Sequence, residues 1–226
     1  MGFLWSKPVK YWVPENRKLK DLLDEDQQRW KTATDLTGWQ IQNSLDNNFA
    51  DSVLNTVATT EINLSFNGLG DDECEHLARI VKSSKIIKRL ILENNHIHAA
   101  GAKALAEALN PEKGKEDPCL EMLSLRNNSI GAEGATALSM VMTANKTLKH
   151  IDLHYNTIGN KGLEALCNNL RPDFPKDFVL DVRYNGLGGN DPNIDWKELR
   201  TKIDQSNIEI EDVDVGPRLI GWPHGD

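Results

Sequence analysis

Several chemical signatures are missing from this chain of 226 residues, and each absence removes a class of protein. Cysteine is scarce: Cys74, Cys119 and Cys167 are odd in number and lack C-x-x-C spacing, which argues against a disulfide framework or a thiolate metal cage. They read as reduced thiols in or near the core. No apolar run approaches the roughly 18 residues of a membrane span, and the start lacks the apolar stretch of a secretory signal. Neither G-x-x-x-x-G-K-S/T nor G-x-G-x-x-G occurs, so no phosphate cradle is expected. Cations are the minority charge, 26 Lys and Arg against 34 Asp and Glu for a net −8. A nucleic-acid binder should instead carry a basic stripe. These absences point to a soluble, cytoplasmic, single-domain chain with no cofactor.

What is present is repetition. The pattern L-x-x-L-x-L-x-x-N-x-L recurs as Ile62, Leu64, Asn67, Leu69, then as Ile87, Leu90, Leu92, Asn95, Ile97, and again as Leu120, Leu123, Leu125, Asn128, Ile130. Leu148, Ile151, Leu153, Asn156, Ile158 follow, and then the worn copy Leu180, Val182, Asn185, Leu187. Successive asparagines stand 28, 33, 28 and 29 residues apart, the fixed-period self-similarity of a solenoid. The long period contains "PEKGKEDP" at 111–118, a solvated loop whose extension costs little stability. After each asparagine comes a glycine-bearing helical stretch: Gly101 to Leu109, Gly134 to Met142, Gly162 to Leu170. One period is therefore a short strand, a turn and a helix. The leucines are core. The asparagine amide is placed to bond backbone groups of the turn, and the glycines read as tight-turn or close-packing positions.

In the segments "KRLILENNHIHAAGAKALAEAL", "EMLSLRNNSIGAEGATALSMVM" and "KHIDLHYNTIGNKGLEALCNNL" the chain resembles the ribonuclease-inhibitor type of leucine-rich repeat, over roughly residues 57 to 190. The resemblance implies an α/β solenoid, a horseshoe of parallel inner strands and outer helices, and a habit of binding proteins. It names no partner.

The flanks read as closures for the ends of the stack. Residues 17 to 57 are expected to form a helical N-terminal cap. Leu19, Leu22, Leu23 and Trp30 share one helical face, and a second helix over 44 to 57 has Ser44 as its N-cap. The repeats would then occupy 58 to 190. Residues 191 to 226 would supply a cap helix opened by Asp195 and Glu198, a strand at "IEIEDVDV" and a tail. Residues 1 to 16 form an extended arm with Trp5, Tyr11 and Trp12 between Pro8 and Pro14. Residues 1 to 20 carry five cations and one acid, about +4 against about −12 for the rest. Leu219 and Trp222 give the C-terminal tail the same aromatic character.

Strand alternation lists the residues of the inner face. Arg126, Asp152, His154, Tyr155, Asp181, Arg183 and Tyr184 are the candidate contacts there, with Tyr155 and Tyr184 at the strand exits. Aromatics beside arginine are common hot-spot material. Trp5, Tyr11, Trp12, Leu219 and Trp222 are the candidate contacts of the tails. No metal site is expected, since His150 and His154 lie about 13 Å apart along a strand, and no catalytic constellation assembles. The leading expectation is a non-enzymatic interaction module, a structural subunit of a cytoskeletal, ciliary or organellar assembly. Gly2 and Ser6 fit M-G-x-x-x-S/T, so a second reading is an N-myristoylated, membrane-tethered adaptor. A third is a GTPase-activating protein, since the Ran-directed activators resemble this repeat class.

Overall fold

The computed structural model describes residues 33–38, 40–41, 45–54, 59–111, 116–170, 178–187 and 193–205. Strand and helix alternate through them: β1 (Ala33–Asp35), α1 (Asn47–Leu54), β2 (Glu61–Asn63), α2 (Asp71–Ser83), β3 (Arg89–Ile91), α3 (Ala99–Leu109), β4 (Met122–Ser124), α4 (Gly131–Ala144), β5 (His150–Asp152), α5 (Gly159–Asn168), β6 (Val179–Asp181) and α6 (Trp196–Gln205). The strands form one parallel sheet in chain order. Ile62, Leu90, Leu123, Ile151 and Leu180 stand opposite one another in turn. Each is buried, so the central strand position of every repeat builds one continuous ladder. Consecutive helices pack along the other side, and a single hydrophobic core runs between sheet and helices. The repeat register and the α/β solenoid are those the sequence implies.

The strand ladder begins earlier than expected. Ala33–Asp35, inside the stretch assigned to a helical cap, pairs in parallel with Glu61–Asn63, and α1 takes the place of a repeat helix. Continuing that register sets Leu36 and Ile41 against Leu64 and Leu69, and in the sequence the residue two before Ile41 is Trp39, where the later copies carry asparagine two before the matching Leu or Ile. The unit therefore lacks its signature residue. Asn67 bonds across the gap: its Nδ2 donates to Leu36 O at 2.9 Å and its Oδ1 accepts Ile41 N–H at 3.4 Å. Helix α1 is capped by Asp46, whose Oδ1 accepts Phe49 N–H at 2.9 Å, while Ser44, the cap expected from the sequence, lies outside the described residues.

The asparagines do the work their spacing suggests. Asn128 is buried, and its Nδ2 donates to Leu92 O and Leu125 O at 2.9 Å and to Arg126 O at 3.3 Å, while Oδ1 accepts Ile97 N–H at 3.0 Å. Asn95, Asn156 and Asn185 bond the preceding repeat in the same way. Each amide satisfies buried backbone groups of two repeats at once, which ties the turns into a column.

Of the two readings for the repeat glycines, close packing holds. Helices α3, α4 and α5 start two or three residues before Gly101, Gly134 and Gly162. A Cβ on Gly134 would come within 2.6 Å of Ile130 Cγ2 and 3.1 Å of Ala102 Cβ, and one on Gly162 within 2.9 Å of Ile158 Cβ and 3.1 Å of Ala135 Cβ. Adjacent helices meet at these bare positions. At the far end Asp195 Oδ1 accepts Glu198 N–H at 2.9 Å and Leu199 is buried, so α6 opens as the sequence suggests and rests on α5. Cys74 and Cys167 are buried free thiols. The arm at 1–16, the helical stretch proposed over 17–30 and the strand proposed at 208–215 lie outside the described residues.

Candidate functional site

Three-residue strands leave little room for side-chain display, so the inner face depends on how each strand ends. The acceptor is an Asp or Asn at the last strand position: Asp35, Asn63, Asp152 and Asp181 each take the N–H two residues on, at 3.0, 3.0, 2.9 and 3.0 Å. That local bond turns the backbone out of the sheet. Three residues after the strand end, just before the repeat asparagine, the chain enters the left-handed region. Phe66, Asn94, Asn127, Tyr155 and Tyr184 sit there with φ of 59°, 54°, 52°, 55° and 55°. Asparagine tolerates this conformation, whereas a bulky aromatic is held there at a strain of about 1 kcal/mol.

The aromatic members of this row face solvent. Phe66 is 59% exposed, Tyr155 46% and Tyr184 56%. Tyr155 and Tyr184 stack with centroids 4.7 Å apart and planes at 18°, and both rings tilt against His154 at 4.6 and 4.9 Å. His154 is thereby covered to 4% exposure. Beside it, Arg183 Nε donates to Asp181 Oδ1 at 2.9 Å and Oδ2 at 3.0 Å, and Nη2 also donates to Oδ2. His154 Nδ1 stands 3.5 Å from Asp181 Oδ2.

The two aspartates have opposite electrostatics. Burial raises the Asp181 carboxyl, but the hydrogen bonds and charge of Arg183 outweigh it and hold it below the usual carboxylate range. Burial also raises Asp152. The His154 N–H bond opposes that rise, yet the charges of Asp181 and Glu93 add to it, and Asp152 ends above its ordinary value.

The structure thus gathers six of the seven inner-face residues expected from the sequence: Asp152, His154, Tyr155, Asp181, Arg183 and Tyr184. Arg126 is exposed just past the neighbouring strand, and no hydrogen bond or ion pair joins its side chain to the group among the described residues. His154 differs from expectation in being buried, because its strand neighbour Tyr155 and Tyr184 across the ladder fold over its ring. Phe66 escaped the sequence reading although it occupies the same repeat position as the two tyrosines. Its place one residue before Asn67 is the signal that would have found it. The tail residues Trp5, Tyr11, Trp12, Leu219 and Trp222, and Gly2, lie outside the described residues. No described helix is long and apolar enough to cross a membrane.

A stack of strand-turn-helix units with one bonded asparagine per unit defines a leucine-rich-repeat solenoid. Comparison with known proteins makes the class specific. The family model described as Leucine Rich repeat matches residues 84–106, 116–139 and 144–167. Mouse ribonuclease inhibitor is 33% identical over 111 residues, covering 49% of this chain and 23% of that protein. Mouse NACHT, LRR and PYD domains-containing protein 4E is 32% identical over 156 residues, covering 67% of this chain and 15% of that protein. The chain belongs to the leucine-rich-repeat proteins of the ribonuclease-inhibitor type. It spans less than a quarter of the length of either relative. The same fold is seen in the structure titled Leiomodin-1 Actin-Binding Site 2, with TM-score 0.55, 18% identity and coverage of 68% of this chain and 88% of that one. The tropomodulin C-terminal domain of Caenorhabditis elegans matches with TM-score 0.51 and 13% identity, over 67% of this chain and 88% of that one.

Proposed function

We propose that this chain is a non-enzymatic protein-interaction module, a structural subunit of a larger assembly, that docks its partner on the rim carrying Phe66, Tyr155 and Tyr184. The observation that carries the reading is the double penalty at these positions. Each ring is strained in the left-handed region and about half exposed, although Asn94 and Asn127 serve at the same repeat position, and the cover that the two tyrosines give His154 leaves their outer faces open. Rigid, exposed aromatics supply contact area at low entropic loss. Arg183 and Asp181 beside the stack would add polar specificity.

A cytoskeletal setting is favoured by the leiomodin structure, whose title names an actin-binding site. Co-sedimentation with filamentous actin and a monomer-polymerisation assay test that setting. Binding lost in Tyr155→Ala/Tyr184→Ala supports both the setting and the rim, whereas no effect on actin leaves the module reading to be judged on the native partner. That partner is sought by affinity purification from the native cell and identification of co-eluting proteins. Capture unchanged by the double substitution would remove the rim as the docking surface.

A further inference from the structure

We propose that Asp152, His154 and Asp181 form a binding site for a divalent cation of the zinc class on the inner face of the sheet. One carboxylate oxygen from each aspartate and one imidazole nitrogen lie within 4.8 Å of one another, and Nδ1 stands 3.5 Å from Asp181 Oδ2. Register explains the juxtaposition. Asp152 and Asp181 are direct partners across β5 and β6, and His154, two residues past Asp152, points to the same side.

The aspartates have an ordinary task in this fold, and it consumes one oxygen each. Oδ1 of Asp152 and of Asp181 closes the turn at the strand end, as Asp35 and Asn63 do in repeats that have no histidine at the corresponding place. That task leaves His154 unexplained. Its Nδ1 is buried without a hydrogen-bond partner among the described residues, and the 3.5 Å to Asp181 Oδ2 exceeds the usual hydrogen-bond range. A buried imidazole nitrogen with nothing to bond is a costly arrangement. Two ligand atoms each about 2.1 Å from a tetrahedral zinc stand roughly 3.4 Å apart. An ion seated between Nδ1 and Oδ2 therefore satisfies both with the ring where it is, and a small rotation of the Asp152 carboxylate completes the trio.

The surroundings suit such an ion. Tyr155 and Tyr184 fix the imidazole plane, and Arg183 orients the Asp181 carboxylate, as hydrogen-bonded outer groups commonly do for metal ligands. Glu93 adds a further negative charge near Asp152. One imidazole with two carboxylates selects zinc over magnesium or calcium, which prefer oxygen alone. A three-residue set leaves a further position for water or for a partner's side chain.

The test is calorimetric titration of zinc into the chelator-stripped full chain, with calcium and magnesium as comparators, and cobalt substitution read by visible absorption. Expected are one zinc per chain, little response to the other two ions, and a cobalt spectrum without a thiolate charge-transfer band. Asp152→Asn, which keeps the turn acceptor, should weaken zinc binding about tenfold or more with an unchanged circular-dichroism spectrum. His154→Gln is the second variant and should do the same. Zinc that binds Asp152→Asn as tightly as the parent, a thiolate band from the cysteines, or no stoichiometric binding would each overturn the proposal.

Discussion

At the residue scale, the repeat asparagine and the strand-end aspartates have roles that can be weighed. Asn128 meets one N–H and three carbonyls. Asn128→Ala strands those buried groups and should lower unfolding free energy by about 3 kcal/mol, read as a fall in urea midpoint. A change below about 0.5 kcal/mol would show that water substitutes for the amide. The aspartates should respond to pH with opposite signs. Asp181, held below its ordinary value, contributes stability that is present above the unfolded carboxylate pKa and lost as pH falls through the folded one. Asp152, pushed above its ordinary value, favours the fold below the unfolded pKa and withdraws that support as pH rises through the folded one. In chelator at neutral pH, Asp152→Asn should therefore raise the melting temperature and Asp181→Asn should lower it. Thermal melts across acidic to neutral pH decide the matter, and equal shifts of one sign would refute the assignment. Thiol reactivity gives a further check. Burial raises Cys74 strongly, aided by Asp71 and Glu73, and pushes Cys167 up to about 12, while half-buried Cys119 is raised less severely. Alkylation of native protein followed by peptide mapping should label Cys119 first.

At the element scale, adjacent helices approach closely at glycine and alanine positions. Gly134→Ala places a methyl 2.6 Å from Ile130 Cγ2 and should cost about 1 to 3 kcal/mol despite alanine's better helix propensity. A stability at or above the parent's in denaturant titration would mean that α3 and α4 can separate freely. The same scale shows why the sequence was legible where it was. Asn67 through Asn185 repeat because each must reach the backbone of the preceding unit, so geometry writes itself into the spacing. The first unit stayed hidden because Trp39 replaces the asparagine and Asn67 makes the contacts from the next repeat. Strand alternation already puts Asp152, His154 and Asp181 on one face, but the long His150–His154 separation along a single strand says nothing of the closer approach of His154 to Asp181 across two strands.

At the scale of the whole molecule, the described residues form a parallel ladder with helices behind it, presenting an inner face and a rim, and the proposed function rests on the rim. Phe66, Tyr155 and Tyr184 are aromatic where the fold accepts asparagine. The sequence could name the two tyrosines as strand-exit residues, but their left-handed backbone and their stack over a buried histidine arise from the third dimension. The most direct test exchanges Tyr155 and Tyr184 for asparagine together and reads melting temperature and partner capture from native cell extract in parallel. A melting temperature at or above that of the parent with capture lost is the expected outcome. Capture retained at full stoichiometry, or a melting temperature many degrees lower, would contradict the claim that these rings serve binding rather than folding.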